Sequence, residues 1–168
     1  EKWAEVMRRL GHEVQILTGE LEADVPGSSV LPMLAFSHPA TLREQDDAFF
    51  IQAADEGELL ERLHRDAATI ERDITRWLVD MRIDVLVTQN STTLPCHLTM
   101  GMALKRVIER TGIPAIAHDH DFYWERGDRY STRYPGVRAI IDECFPPDLP
   151  NLTHVVSNSY CRDSLRER

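Results

Sequence analysis

The stretch Ile113-Pro-Ala-Ile-Ala-His-Asp-His-Asp-Phe-Tyr-Trp-Glu-Arg126 constrains this chain more than any other, because an apolar run ends there in four consecutive titratable residues and an aromatic cluster. Pro114 suits the first position of a strand, and Ala115 to Ala117 carry the small and branched residues of a buried one. An open α/β sheet places its ligand crevice outside the carboxyl ends of its strands. The polar burst His118-Asp119-His120-Asp121 falls at such an end, so any chemistry is expected there.

The rest of the sequence reads as scaffold for that edge. Glu1 to Leu10 has Trp3, Val6, Met7 and Leu10 at helical spacing with Gly11 as its stop, and Val14, Ile16 and Leu17 suit a strand that ends by Gly19. Leu21 to Ser29 is a loop, and Val30 to Phe36 a weaker strand interrupted by Pro32. His38 to Asp47 reads as irregular or as a frayed helix start. From Asp55 to Met81 the spacing of Leu60, Leu63, Ala67, Ile70, Ile74, Trp77 and Met81 predicts a long helix, with Asp55 and Glu58 in capping-box spacing. Its stripe is too short for a convincing coiled coil and suits a helix laid on a sheet. Ile83 to Thr88 is nearly continuous in apolar residues, as a central parallel strand would be, and delivers Gln89-Asn90 to the same edge as His118 to Asp121. Leu98 to Arg110 is an amphipathic helix stopped at Gly112. Arg126 to Pro135 lacks periodicity and reads as a loop; Val137 to Cys144 makes two turns of helix; Leu152 to Ser157 is a last strand, followed by a helix capped by Ser157 or Ser159. This order predicts an α/β fold with a doubly wound, mainly parallel sheet in a single domain over residues 1–168.

Charge and cysteine usage exclude several classes. With 28 acidic and 19 basic residues the net charge is −9, so nucleic acid has no general field to bind and an anion would need a local basic cluster. The three cysteines, Cys96, Cys144 and Cys161, form no C-x-x-C pair, which argues against a disulfide scaffold or zinc ribbon. No apolar run reaches the ~20 residues of a membrane span, and a cytoplasmic location is the expectation. The chain opens in the body of a helix and closes in another, so it is expected to lack a first strand and a following domain.

Metal chemistry is the obvious alternative for the tetrad. In an extended segment His118 and His120 point to one side and Asp119 and Asp121 to the other, so four ligands cannot meet on one ion without a sharp turn. His97, His154 and Asp148 would have to complete a site, and their spacing matches no known metal motif. No bound metal is therefore expected, and a metal-dependent hydrolase is the runner-up reading. A dinucleotide module is weakened by the absence of G-x-G-x-x-G, a nucleophilic enzyme by the absence of a G-x-S-x-G elbow. A non-catalytic α/β ligand-binding module is a third reading.

Four segments carry a family resemblance: Leu10-Gly-His-Glu-Val-Gln-Ile-Leu-Thr18, Asp84-Val-Leu-Val with Gln89-Asn90, Gly112-Ile-Pro-Ala-Ile-Ala-His-Asp-His-Asp121 and His154-Val-Val-Ser-Asn-Ser159. Together they resemble the amino-terminal, Rossmann-like half of retaining GT-B glycosyltransferases of the group 1, or family 4, kind. The run His120-Asp-Phe-Tyr-Trp-Glu-Arg126 with Phe145-Pro-Pro-Asp-Leu-Pro150 is similar to the mannosylglucosylglycerate synthase-like branch. The resemblance implies a two-domain enzyme that binds its acceptor mainly on this half, its nucleotide-sugar donor mainly on a carboxyl-terminal domain absent here, and reacts in the cleft between them. This chain alone is then expected to be inactive and to hold no cofactor.

By the same resemblance His120 and Asp121 match the family's His-Asp after the strand, and His120 is expected to touch the transferred sugar or the acceptor hydroxyl. The residue types suit a sugar. Asn90, His118 and Asp121 offer donors and acceptors to hydroxyls, while Tyr123 and Trp124 offer ring faces to C–H groups. The competing expectation is that Phe122, Tyr123 and Trp124 are core and His118 a satisfied histidine. Arg126, Arg129 and Arg133 read as a solvated loop face unless they line the cleft, in which case they suit an acceptor bearing a carboxylate or phosphate.

Overall fold

A computed structural model of the chain describes residues 2–21 and 25–168. Two parallel sheets result. Strands β1 (Ile16–Thr18) and β2 (Ser28–Val30) pair in one, and β3 (Leu86–Gln89), β4 (Ala115–Asp119) and β5 (Leu152–Val156) form the other in that spatial order. Helices α1 (Lys2–Arg9), α2 (Pro39–Gln45), α3 (Glu56–Asp80), α4 (Leu98–Thr111), α5 (Pro135–Cys144) and α6 (Ser159–Arg166) connect and flank them. The molecule is α/β with parallel sheets in a Rossmann-like arrangement, as the sequence predicts. No helix among the described residues is long and apolar enough to cross a membrane.

Helix ends follow local chemistry. The Asp55 carboxylate accepts from Glu58 N at 3.1 Å and starts α3, and α4 closes on Gly112 at φ +68°, where a side chain would be strained. The cap of α6 is Asn158, whose Oδ1 accepts from Cys161 N at 2.9 Å, rather than either flanking serine. On α3 the buried stripe runs through Leu59, Leu63, Ala67, Ile70, Ile74 and Leu78. The expected Leu60 and Trp77 lie along its margins, because α3 packs against α4 rather than face-on to the sheet, and Met81 falls outside the helix as its exposed C-cap.

Other expectations need correcting. The segment 30–36 is not a strand: β2 ends at Val30, and Pro32 opens a 3-10 turn, since a proline supplies no N–H to a ladder. The stretch from His38 to Asp47 is ordered helix, begun by the His38 ring accepting from Ala40 N and running into a π turn over Asp46–Phe50. Strand β3 is not central. It pairs only with β4 among the described residues, so Val85 and Val87 stay 47% and 43% exposed, and β4 takes the middle. The region expected as loop carries 3-10 turns over Tyr123–Tyr130, broken at Gly127, where φ is +56°.

The core lies on both sides of α4. One cluster joins Leu63, Leu98, Met102, Val137, Ile141 and Phe145; the other joins Ile70, Ile74, Leu104, Val107, Ile108 and Ala115. Gly101 sits between them without a side chain because the Phe145 ring occupies the space a Cβ would need. Alanine there gains about 1 kcal/mol of helix propensity. Overpacking a full core costs about 1–3 kcal/mol. We therefore expect Gly101→Ala to lower stability, read as a lower urea midpoint at unchanged slope.

Candidate functional site

Parallel pairing in register brings the strand ends together. Gln89 lies beside His118 and Asp119 beside Val156, so the residues following β3, β4 and β5 emerge on one edge. Asn90 holds this edge. Its backbone is left-handed at φ +53°, a conformation asparagine tolerates better than most side chains. Asn90 Oδ1 accepts from Thr93 Oγ1 at 2.8 Å, from His120 N at 2.9 Å and from Asp121 N at 3.4 Å, while Asn90 Nδ2 donates to Asp121 Oδ1 at 2.8 Å. The turn after β4 is thus hung on one side chain from the turn after β3.

The tetrad divides as alternation along a strand requires. His118 and His120 face outward with ring centroids 4.7 Å apart; His118 Nδ1 lies 2.9 Å from Gln89 Oε1 and 3.3 Å from His120 Nε2. Trp3, from α1, meets the His118 ring in a T-shaped contact with centroids 5.2 Å apart. Asp119 turns inward, fully buried, with Oδ2 at 2.6 Å from His154 Nδ1 on β5. Asp121 turns to Asn90 and accepts a hydrogen bond from Arg126 Nη2 through its other oxygen. Among the described residues no three His, Cys, Asp or Glu side chains gather as ligands of an ion would.

The aromatic cluster is partly core. Phe122 is fully buried, and Trp124 stacks on it at 4.4 Å between centroids. The Arg168 guanidinium lies 4.1 Å from the Trp124 centroid, and Trp124 Nε1 donates to Ser164 Oγ at 2.9 Å, so this ring is engaged with Phe122 and with the α6 end of the chain. Tyr123 is half-buried and lines a cavity of about 300 Å³ with Tyr130, Ser131, Thr132, Arg138 and Asp142. The three arginines do not act together. Arg126 and Arg129 border a groove of about 420 Å³ with Phe36, Leu94, Cys96 and Tyr130, whereas Arg133 lies against the Tyr134 ring at 4.9 Å.

Cysteine nucleophiles find no support. Burial pushes the Cys96 thiol up, and burial with the neighbouring Glu143 charge pushes Cys144 up to about 11, so both stay protonated near neutrality. From the sequence His154 is a possible metal ligand and the start of a family-like segment, Gln89 part of the polar edge after β3, and Ser157 a helix cap; in the structure each instead makes a hydrogen bond to the end of β4 or the turn after it. A histidine on a strand directly beside β4, two residues out of step with Asp119, was the available signal for the first. Nothing local in the sequence gives the partners of the other two, which lie 29 and 37 positions away.

The hub role of Asn90 can be measured. Asn90→Ala removes the shared acceptor and puts a Cβ-bearing residue without local hydrogen bonds at positive φ; a loss of about 1–3 kcal/mol is expected in urea unfolding. Asn90→Gly relieves the backbone but not the lost acceptor, so it should recover only part. Full recovery by glycine would mean that the hydrogen bonds contribute nothing.

No protein-family model and no solved structure matches the chain. Two curated proteins do. It is 31% identical over 170 residues to a mannosylglucosylglycerate synthase of Thermotoga maritima, covering 100% of this chain and 38% of that protein. It is 27% identical over 169 residues to the protein of the same name from Petrotoga mobilis, covering 99% of this chain and 37% of the relative. The chain thus spans well under half the length of these relatives and matches their amino-terminal part. The resemblance drawn from the motifs is borne out: from end to end, this chain is similar to the amino-terminal part of mannosylglucosylglycerate synthases.

Proposed function

We propose that the chain is the acceptor-side domain of a cytoplasmic, nucleotide-sugar-dependent retaining glycosyltransferase of the GT-B kind. The observation that carries this reading is the whole-chain similarity to proteins named mannosylglucosylglycerate synthase. The donor would be held chiefly by a second domain facing the edge on which β3, β4 and β5 end. His120, exposed at that edge, is the group assigned to the transferred sugar or the acceptor hydroxyl. Asp121 sits beside it with one oxygen on Asn90 and the other on Arg126, an arrangement that supports a role in orienting a hydroxyl against His120.

Asn90, His118, Tyr123, Trp124 and Arg126 remain the assigned acceptor contacts, with unequal support. Asn90 spends its side chain on the turn itself, and Trp124 is stacked on Phe122. Tyr123 and Arg126 border cavities and are the better placed. Arg126 is half exposed and, with Arg129, turns a cationic rim toward an apolar and aromatic groove. That pairing favours a sugar acceptor that bears an acid.

Steady-state kinetics of the full-length enzyme, varying each substrate separately, tests the assignment. Arg126→Ala should weaken an anionic acceptor by about 1.5–3 kcal/mol, the range for a hydrogen bond to a charged group, and leave the donor nearly unaffected. Arg126→Lys should recover only part, since an ammonium cannot make a planar two-point contact. A loss confined to the donor would remove Arg126 from the acceptor site. Equal use of neutral and acidic acceptors would do the same.

A further inference from the structure

The inward-facing member of the tetrad has its own partner. Asp119 ends β4, one residue before His120, and its Oδ1 has no hydrogen-bond partner among the described residues. Its Oδ2 contacts His154 Nδ1 at 2.6 Å, and His154 Nε2 lies 3.1 Å from the Pro147 carbonyl oxygen. A carbonyl oxygen only accepts, so Nε2 carries a proton, and the Nδ1 to Oδ2 contact needs a second one. The hydrogen bond and charge of Asp119 both favour the protonated ring, which puts the second proton on His154 Nδ1. The charged groups facing His154 are Asp119 from β4 and Asp148 from the segment before β5. Burial by itself would lower the pKa of His154; the hydrogen bond and charge of Asp119, with smaller help from the Pro147 carbonyl and Asp148, outweigh it and raise the value above the usual 6.5.

A second tether runs between the same strands. Ser157 Oγ, just beyond β5, donates to the His120 carbonyl oxygen at 3.3 Å. The β5 strand therefore grips the end of β4 on both sides of the peptide that joins Asp119 to His120. Building on the transferase reading above, we propose that His154 is a positioning residue for the His120-Asp121 turn, acting through Asp119, and that the turn keeps its working geometry only while this pair holds its second proton. When that proton leaves, the Nδ1 lone pair faces a carboxylate oxygen across a buried contact, and the end of β4 must give. Because the folded pKa of His154 is raised, this contribution is complete below about pH 6.5 and is lost as pH rises through the folded value.

The test combines imidazole and amide nitrogen spectra of the intact protein across pH 5–10 with the pH dependence of kcat and KM, for the wild type and Asp119→Asn. In the variant an amide N–H donates to a neutral Nδ1 while Nε2–H keeps Pro147, so the geometry survives without the charge. The wild type should show a His154 midpoint above the usual 6.5, with both ring nitrogens protonated below it, and the His120 backbone amide should shift with that midpoint. Its kcat should fall through that same alkaline midpoint while KM for either substrate holds steady. In Asp119→Asn the His154 midpoint should drop to the ordinary range or lower. The alkaline limb should disappear, with kcat at neutral pH kept within about threefold. A His154 midpoint at or below the ordinary range, a His120 amide indifferent to His154, or an alkaline limb that survives Asp119→Asn overturns the proposal. Absence of turnover with every nucleotide-sugar tried, with the His120 amide still following His154, counts against the transferase reading and upholds the coupling.

Discussion

Burying the amino-terminal end of α4 imposes a requirement that the surrounding structure meets. Residues Leu98 to Leu104 are all buried, so the first N–H groups of the helix have no water to satisfy them. Glu44, 3% exposed, supplies the acceptors from α2: its carboxylate takes the Leu98 N–H, the Thr99 N–H at 3.2 Å and the Thr99 hydroxyl at 2.7 Å. A carboxylate at a helix amino terminus is also favoured by the helix dipole. The His97 ring completes the set, with Nδ1 accepting from Met100 N at 3.3 Å and Nε2 donating to the Met33 carbonyl at 2.8 Å. This network fastens the 32–45 region to α4. Through α4 it fastens that region, with the groove wall formed by Phe36, to the core under the large sheet.

The site depends on a different economy of hydrogen bonds. One asparagine side chain uses both its acceptor and its donor on the turn that carries His120 and Asp121, and one half-buried histidine ties the strand end beneath it, through Asp119, to the Pro147 carbonyl. The outward residues are consequently presented by groups that are themselves fully engaged. That is the arrangement expected of a rigid platform: loops carry the polar groups, and the strands behind them limit their motion. It also explains why side chains of similar chemistry differ in role. Asp119 and Asp121 stand two residues apart, yet one is sealed beside His154 and the other opens to Arg126.

Much of this was legible in the sequence where local physics decides. The apolar run into His118-Asp119-His120-Asp121 marks both a buried strand and its polar edge, and alternation along that strand separates the outward histidines from Asp119. Asp55, Gly112 and the apolar spacing of α3 and α4 set the helices within a residue or two. The errors fell where local signals conflict. Pro32 suggests an interrupted strand but opens a turn, and the apolar Ile83 to Thr88 suggests a central strand, whereas β3 lies beside one strand only among the described residues. An apolar run records that a segment suits burial, without saying on how many sides neighbours will come.

The sequence by itself determined the α/β class, the extents of the long helices, the edge on which chemistry would gather, and the resemblance that the curated relatives share. Those properties follow from residue spacing of two or of three to four, from caps and from breakers, all of which act within a few positions. Only the tertiary structure decided which acid is buried, that Asn90 spans 30 positions to hold His120, that Arg126 answers Asp121, and that Glu44 crosses 54 positions to close α4. Those pairings depend on the order in which strands are laid side by side and on which groups burial leaves without water. A hydrogen bond between distant segments leaves no periodicity in either of them, so spacing along the chain carries no record of it.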